Sequence, residues 1–553
     1  MKLPSVDVSQ QVRPGKLRSF RYRGEPVSLV AVWVTLFSSI GGFIFGYDIG
    51  YISGCLIMPP FQESYGVLQP DGTYGFSTYR EGLIVAILSL GSLTGALIGV
   101  PWADLLGRRG AIFAASCVMI VGVIVQVAPS RNYGAFLAGR FIAGLAVGAL
   151  SALVPLFCGE ISPKALRGAF TSTYQIMITL GIVLAYGVDY ATAYRGDDTS
   201  YKIPIAVQII WAGILALGTP FLPRSPRESV LNGNFEAAKR TVGTMHALQP
   251  DDPLVISIVE EIQAKIVEEK NHGASYKDAF DFRSELRTGQ RTLIGMFIQS
   301  FQQLTGANFI FYYGTSIFQA VNPSLNSYKS QLIFGALDSI GTFPGLYFLD
   351  RFGRRRTMIT GAIVMGLSYM VYAFVGRFAL YDAQGNPRPG PGGGMVAAIC
   401  VFVLAYGGSW GPGGWVNTGE IAPLRTKAKQ LSFIAASNWT WNFLLSFFST
   451  PIAGQIGALY GLVFTAANFM AAAFVYFCLP ELAGLSLEQI NTLFQSGVSP
   501  RKSYAWNLEE RERSALAQTQ RRPSEAATVV GDDSSADKLK PEIEHNEKAA
   551  QQV

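Results

Sequence analysis

ADLLGRRG (Ala103–Gly110) and LDRFGRRR (Leu349–Arg356) are two copies of one pattern, an acid, a glycine and consecutive arginines, each closing a long apolar run. A second pair follows in the same order, GEISP (Gly159–Pro163) being answered by GEIAP (Gly419–Pro423). Each copy holds the same place in its own set of apolar runs, so the chain reads as two halves built alike. Outward from these motifs, twelve apolar runs start near residues 29, 81, 111, 135, 169, 201, 291, 329, 357, 395, 429 and 459. Their length, about 20 residues, is what a helix needs to cross a hydrocarbon layer about 30 Å thick. The expected fold class is an all-α membrane protein, twelve transmembrane helices in two pseudo-symmetric six-helix halves. Parallel halves around a central pathway are a transporter design, with the substrate held near the bilayer midplane.

Composition excludes the main rivals. Of 553 residues, 49% are hydrophobic and only 15% charged, against about 25% charged in soluble proteins, which argues against a water-soluble enzyme. The 59 glycines suit packed membrane helices and disfavour a membrane β-barrel. The formal charge of +6 comes from Lys and Arg in short loops rather than on one face, so it implies bilayer orientation and no nucleic-acid partner. Arg108 and Arg109, Lys164 and Arg167, Arg351 with Arg354 to Arg356, and Arg425 with Lys427 and Lys429 all fall on the side of the basic N-terminal segment. By the positive-inside rule that side is cytosolic, with both termini there. The first 26 residues lack the apolar core of a removable signal peptide. The five cysteines lie in apolar runs and read as small core residues, and His246, His272 and His545 all fall outside the spans. No phosphate loop, HExxH or catalytic triad context occurs, so neither enzyme activity nor a cofactor or metal is expected.

The domain reading is a cytosolic N-terminal segment (1–28), a first six-helix half (29–222), a linker (223–290), a second half (291–480) and a cytosolic, mostly disordered tail (481–553). In the linker, SPRE (Ser225–Glu228) reads as a capping box, and Ile258, Ile262 and Ile266 at i+4 spacing read as one face of an amphipathic helix. NPRPGPGGG (386–394) reads as a loop on the opposite side.

Several motifs in register, FGYDIGYISG (Phe45–Gly54), GRF with GEISPKALRG, QQLTGANFIFYY (Gln302–Tyr313), SNWTWNF (Ser437–Phe443) and LPE (Leu479–Glu481), resemble the sugar porters of the major facilitator superfamily. The resemblance covers roughly residues 29 to 495 and is strongest to fungal hexose transporters. It implies monosaccharide transport by alternating access, proton-coupled, in the plasma membrane, by a chain functional as a monomer. The alternatives it leaves are a passive hexose facilitator and a non-transporting sugar receptor of the same fold.

The chemistry agrees with a neutral, polyhydroxylated substrate, because Asn and Gln amides both donate and accept hydrogen bonds while charges would be wasted on it. Span seven carries Gln302, Gln303 and Asn308, span five Gln175, and span eleven Asn438 and Asn442 on one face. Amides at membrane depth line a wet cavity or glue helices together. Gln303 and Asn308 stand about 140° apart on an ideal helix, so they share a cavity only if the helix breaks near Gly306. The resemblance carries sugar contact to Gln175, Gln302, Gln303, Asn308, Trp415 and Asn438. Trp415 offers a flat face to the sugar or is an interfacial anchor.

Asp48 in span one and Arg140 in span four are ionisable groups at membrane depth, a functional signal. If they pair, their separation during closure would couple proton uptake to sugar binding, and the resemblance implies that role. Asp338 falls where sugar porters often have Asn; it is a sugar hydrogen-bond acceptor, a second titrating group or a packing residue. Asp104 with Arg108 and Arg109, Asp350 with Arg354 and Arg355, Glu160 with Arg167, and Glu420 with Arg425 are expected as cytosolic gate pairs joining the halves, or as topology determinants alone. Two departures from the family pattern, Arg224 in LPRSPR and the missing basic residue after LPE, imply a differently wired ion network.

Overall fold

The computed structural model describes residues 18–22, 25–70, 72–128, 131–163, 166–272, 275–321, 326–384, 388–423, 425–511 and 513. Nine stretches of helix among them are long and apolar enough to cross a membrane. Two of these are double. Thr78–Val127 reverses at Gly107 into spans two and three, and Lys427–Cys478 is interrupted at Gly457, which separates spans eleven and twelve. Span seven, Thr288–Leu304 continued by Ala307–Val321, completes twelve. Leu29–Cys55 is span one, Tyr133–Ile161 span four, Arg167–Thr192 span five and Thr199–Gly218 span six. In the second half Ser327–Arg351 is span eight, Arg354–Phe378 span nine and Pro389–Ile421 span ten.

Span ten starts earlier than the composition of 386–394 suggests. Residues 388–394, expected as loop, are helical from Pro389 onward. Proline is tolerated in the first helical turn because the N–H it lacks has no partner there anyway.

A short antiparallel hairpin, β1 (Ser19–Tyr22) with β2 (Glu25–Ser28), precedes span one. Ser28 then caps the span, its Oγ accepting from Ala31 N at 3.1 Å. The imidazole of His246, at the end of a linker helix, lies 3.1 Å by its Nδ1 from the Pro26 carbonyl and ties the hairpin to the linker. Three linker helices, Pro226–Leu231, Phe235–His246 and Pro253–His272, share an apolar cluster of their own, Val230, Ala238, Val242, Val255, Val259 and Ile266, with Ile258 and Ile262 packed against it. After span twelve a further helix, Leu487–Gln495, is opened by a reciprocal capping box between Ser486 and Gln489. Arg513 lies 3.9 Å from both Glu509 and Glu510.

Spans two and four touch backbone to backbone: a Cβ on Gly95 would stand 2.1 Å from the Leu145 carbonyl oxygen, and one on Gly148 1.9 Å from that of Ser92. This small-residue stripe lets two helices approach without intervening side chains.

The repeated motifs fold alike. Gly107 has φ 74 and ψ 162, and Gly353 φ 94 and ψ 150, a region open essentially to glycine alone. In each half this turn presents its next N–H groups to a buried or half-buried carboxylate. Arg108 N donates to Glu228 Oε2 at 3.1 Å, while Arg354 N and Arg355 N donate to Glu481 at 2.9 and 3.2 Å. Glu228 belongs to SPRE and Glu481 to LPE, so the two departures in sequence leave the acid that clamps each turn in place. Ser225 does cap its helix, accepting from Glu228 N at 3.4 Å, but the Glu228 carboxylate serves the Gly107 turn.

A side chain at Gly353 would also strike Glu481, 2.5 Å from its Oε2. Gly353→Ala is therefore expected to cost about 1–3 kcal/mol from backbone strain alone. It should lower the thermal midpoint of the detergent-purified protein, while Gly454→Ala, at a position with open space around it, should leave the midpoint near that of the wild type.

Candidate functional site

Span seven is interrupted between Leu304 and Ala307, with Gly306 at φ 89. Within a bilayer the carbonyls loosened by a break need donors, and two of them gain side-chain donors from other spans. Tyr369 Oη donates to Gly306 O at 2.7 Å, and Asn468 Nδ2 donates to Thr305 O at 3.1 Å. Spans nine and twelve thus hold the broken helix.

The break brings the amides together. Asn438 is the hub: its Nδ2 donates to Gln299 Oε1 at 2.6 Å and to Gln302 Oε1 at 3.0 Å, and its Oδ1 accepts from Gln303 Nε2 at 3.0 Å. Asn308 Nδ2 donates to Gln303 Oε1 at 2.5 Å from the far side of the break. Gln302 Nε2 donates to the carbonyls of Trp410 and Gly411 in span ten, at 3.0 and 2.9 Å. Gln175 reaches in from the first half, its Nε2 standing 3.3 Å from where a Gly411 Cβ would lie. Trp415 packs edge-on against Tyr174, ring centres 5.6 Å apart, so the indole bridges span ten to span five. All of these side chains are at least nine-tenths buried.

Four of the expected contact residues, Gln302, Gln303, Asn308 and Asn438, therefore form one continuous network, with Gln175 and Trp415 at the seam between the halves. Asp338 stands apart. It is buried, its Oδ1 has no hydrogen-bond partner, and that oxygen lies 2.9 Å from where a Cβ on Gly407 would be, at the contact of spans eight and ten. Gln299, Thr418, Ser89 and Tyr312 are additions. Gln299 Nε2 donates to Thr418 Oγ1 at 3.4 Å, and Asn442 Oδ1 accepts from Ser89 at 2.6 Å and Tyr312 at 3.3 Å. Gln299 precedes Gln302 and Gln303 by three and four residues, a same-face spacing that makes it readable in sequence.

Asp48 and Arg140 are fully buried and face each other, Oδ2 to Nη2, at 3.8 Å. That separation gives Coulomb attraction without a hydrogen bond: neither Asp48 oxygen nor Arg140 Nε and Nη2 has a partner. The other arginine nitrogen, Nη1, donates to Tyr51 Oη at 2.6 Å, which in turn donates to Gln126 Oε1 at 3.0 Å. The pair is thus held by charge on one side and by a phenol relay on the other.

At the basic-loop end, among the described residues, the ion pairs of Arg108 and Arg354 lie within their own halves. Arg108 pairs with Asp104 at 3.4 Å and Glu160 at 3.3 Å, and Arg354 with Asp350 at 3.6 Å and Glu420 at 2.7 Å. The reason is topological: each arginine opens the third helix of its half, and each glutamate closes the fourth. Arg109 donates to Leu222 O at 2.7 Å, Arg355 to Tyr476 O at 2.7 Å, and Arg425 lies 3.8 Å from Asp278. The Arg167 side chain lies outside the described residues. The halves do meet here, since Glu420 Oε1 stands 3.3 Å from where a Gly168 Cβ would lie in span five.

Besides the Ser89–Asn442 bond and the one from Trp439 Nε1 to Ser151 Oγ at 3.2 Å, direct hydrogen bonds between halves occur at the opposite end, a feature the motifs do not announce. Ser53 Oγ and Thr315 Oγ1 are 3.0 Å apart, Thr315 Oγ1 donates to Ser53 O at 2.6 Å, and Gln331 Nε2 donates to Ser53 Oγ at 2.8 Å. Tyr186 donates to Phe311 O at 3.0 Å.

Twelve spans in two similar halves, a broken seventh helix and amides converging at the seam define a secondary transporter of the major facilitator fold. The chain belongs to the family described as "Sugar (and other) transporter", whose model matches residues 34–494. It is 37% identical over 483 residues to the low-affinity glucose transporter HXT3 of Saccharomyces cerevisiae, covering 87% of this chain and 84% of that one. The galactose transporter of the same yeast is 37% identical over 484 residues, covering 87% and 83%. Among solved structures, the proton:xylose symporter XylE, an E. coli protein, superposes with a TM-score of 0.71 at 24% identity, over 84% of this chain and 99% of that one.

Gln331→Ala removes one stitch between the halves, a loss of about 1 kcal/mol and hence about fivefold in the closed population at this end. With Cys55 as the sole cysteine, buried next to this contact, maleimide labelling of Cys55 is expected to accelerate by about that factor. Unchanged labelling would mean that these bonds do not hold the halves together.

Proposed function

We propose that this chain carries a monosaccharide, with glucose or a related hexose foremost, across the plasma membrane by alternating access, coupled to protons, as a monomer with both termini cytosolic. The observation that carries this is the convergence of Gln302, Gln303, Asn308 and Asn438 at the break of span seven. Gln303 and Asn438 there each donate to and accept from another side-chain amide, Gln302 accepts from Asn438 and Asn308 donates to Gln303. Sugar hydroxyls do the same, so an entering sugar exchanges amide–amide bonds for amide–hydroxyl bonds with little net loss. The yeast relatives named for glucose and galactose support the substrate class.

Proton coupling is assigned to Asp48 and Arg140. A buried charge pair without hydrogen bonds between its members is stable only while both charges are present. A proton that reaches Asp48 removes the attraction and leaves Arg140 held to span one through Tyr51 Oη alone, which loosens span four against span one. The paired Arg108–Glu160 and Arg354–Glu420 networks act as gating elements by keeping the cytosolic end of each half rigid, so that the halves rock as bodies.

The deciding experiment is labelled hexose uptake in cells stripped of their own hexose carriers, with and without a protonophore. Uphill accumulation abolished by the protonophore supports the symporter; equilibration alone supports a passive facilitator with the same site; binding without flux supports a receptor. Asp48→Asn is expected to lose uphill accumulation while keeping part of the exchange activity, and unchanged accumulation would remove Asp48 from coupling. Gln303→Ala, which strips three hydrogen bonds from the network, is expected to weaken apparent sugar affinity about tenfold or more at normal surface expression. An unaltered affinity would take Gln303 out of the site.

A further inference from the structure

Arg355 does not face the seam between the halves. It turns to the outside of the second half, where its guanidinium donates to Tyr476 O in the last turn of span twelve and lies 5.0 Å from the centre of the Tyr476 ring. Arg501, returning from the helix that follows span twelve, places its guanidinium 5.2 Å from the same ring and 4.6 Å from that of Phe477. Two cations share one ring, and their mutual distance is bounded by those two lengths. Arg356 adds a third positive charge within electrostatic reach of Arg355. The nearby acid, Glu481, is held by the N–H groups of Arg354, Arg355 and Ala483, and Arg355 Nε has no hydrogen-bond partner.

The setting of these charges is the end of an apolar span. Tyr476 and Phe477 are 44% and 54% exposed, and aromatic rings at a span's end sit at headgroup level. Guanidinium forks match phosphate oxygens in pairs, and a ring face beside them accepts the first apolar groups of a lipid. A soluble anion has no use for the two rings; a phospholipid has a use for both parts.

We infer that Arg355, Arg501, Tyr476 and Phe477 form a binding site for the phosphate headgroup of an anionic phospholipid on the outer face of spans nine and twelve. The anion relieves the repulsion of the clustered arginines and, by fixing Arg355 on Tyr476 O, pins the start of span nine to the end of span twelve.

The test uses the full-length protein in nanodiscs of phosphatidylcholine with and without one part phosphatidylserine, reading retained phosphatidylserine by native mass spectrometry. Arg501→Gln is expected to lower phosphatidylserine affinity about fivefold, the effect of one basic residue at an anionic surface, and Arg355→Gln with Arg501→Gln to lower it further. Arg388→Gln, at the opposite end of the molecule, should retain the lipid as the wild type does. Because loss of Arg355 could disturb folding, Arg501→Lys serves as a second variant: it keeps the charge and should hold most of the lipid, with a thermal midpoint in pure phosphatidylcholine equal to the wild type's. Wild-type retention in the double variant would overturn the site, and displacement of the lipid by inorganic phosphate alone would show a soluble-anion site instead.

Discussion

In hydrocarbon a helix can stop and restart only where other groups take over the carbonyls that the stop releases. The break at Thr305–Gly306 meets that requirement with Tyr369 and Asn468, and much else in the second half follows from it. Because the break is held from spans nine and twelve, span seven can turn Gln303 and Asn308 to the same place. Because they meet there, Asn438 can serve as hub, and the second half becomes one polar unit facing the first across Gln175 and Trp415.

The two halves solve the same problem at their basic ends. A glycine-only turn is clamped through backbone N–H groups by an acid from outside the membrane, and an arginine next to the turn is shared between an acid one helical turn back and a glutamate at the end of the fourth helix. Buried pairs of this sort contribute rigidity more than net stability, which suits bodies that must rock without deforming. The hydroxyl and amide stitches at the other end are neutral and individually weaker.

Much of this was legible in the chain. The spans followed from apolar length, the halves from repeated motifs, and the break in span seven from the angle between Gln303 and Asn308. What was hidden had physical reasons. The partner of an arginine depends on which helix ends lie side by side, which spacing along the chain does not reveal, so the pairing of Arg108 with Glu160 and of Arg354 with Glu420, each within its own half, was not legible. Ser53, Thr315 and Gln331 follow no period that would mark them. Arg355 reads like Arg354 in sequence, yet one residue's rotation, about 100° on a helix, turns it to the opposite side.

The clamp acids enter the network over connections of different length, Glu481 standing three residues after Cys478 at the end of span twelve. Glu228 is reached seven residues after Phe221, through residues 222–225 and the first turn of the helix Pro226–Leu231, so inserting or deleting a single residue between them would shift the carboxylate off the Gly107 turn. The chain beyond Leu231 does not set that distance, and its length bears first on the apolar cluster that the linker helices share with Val230.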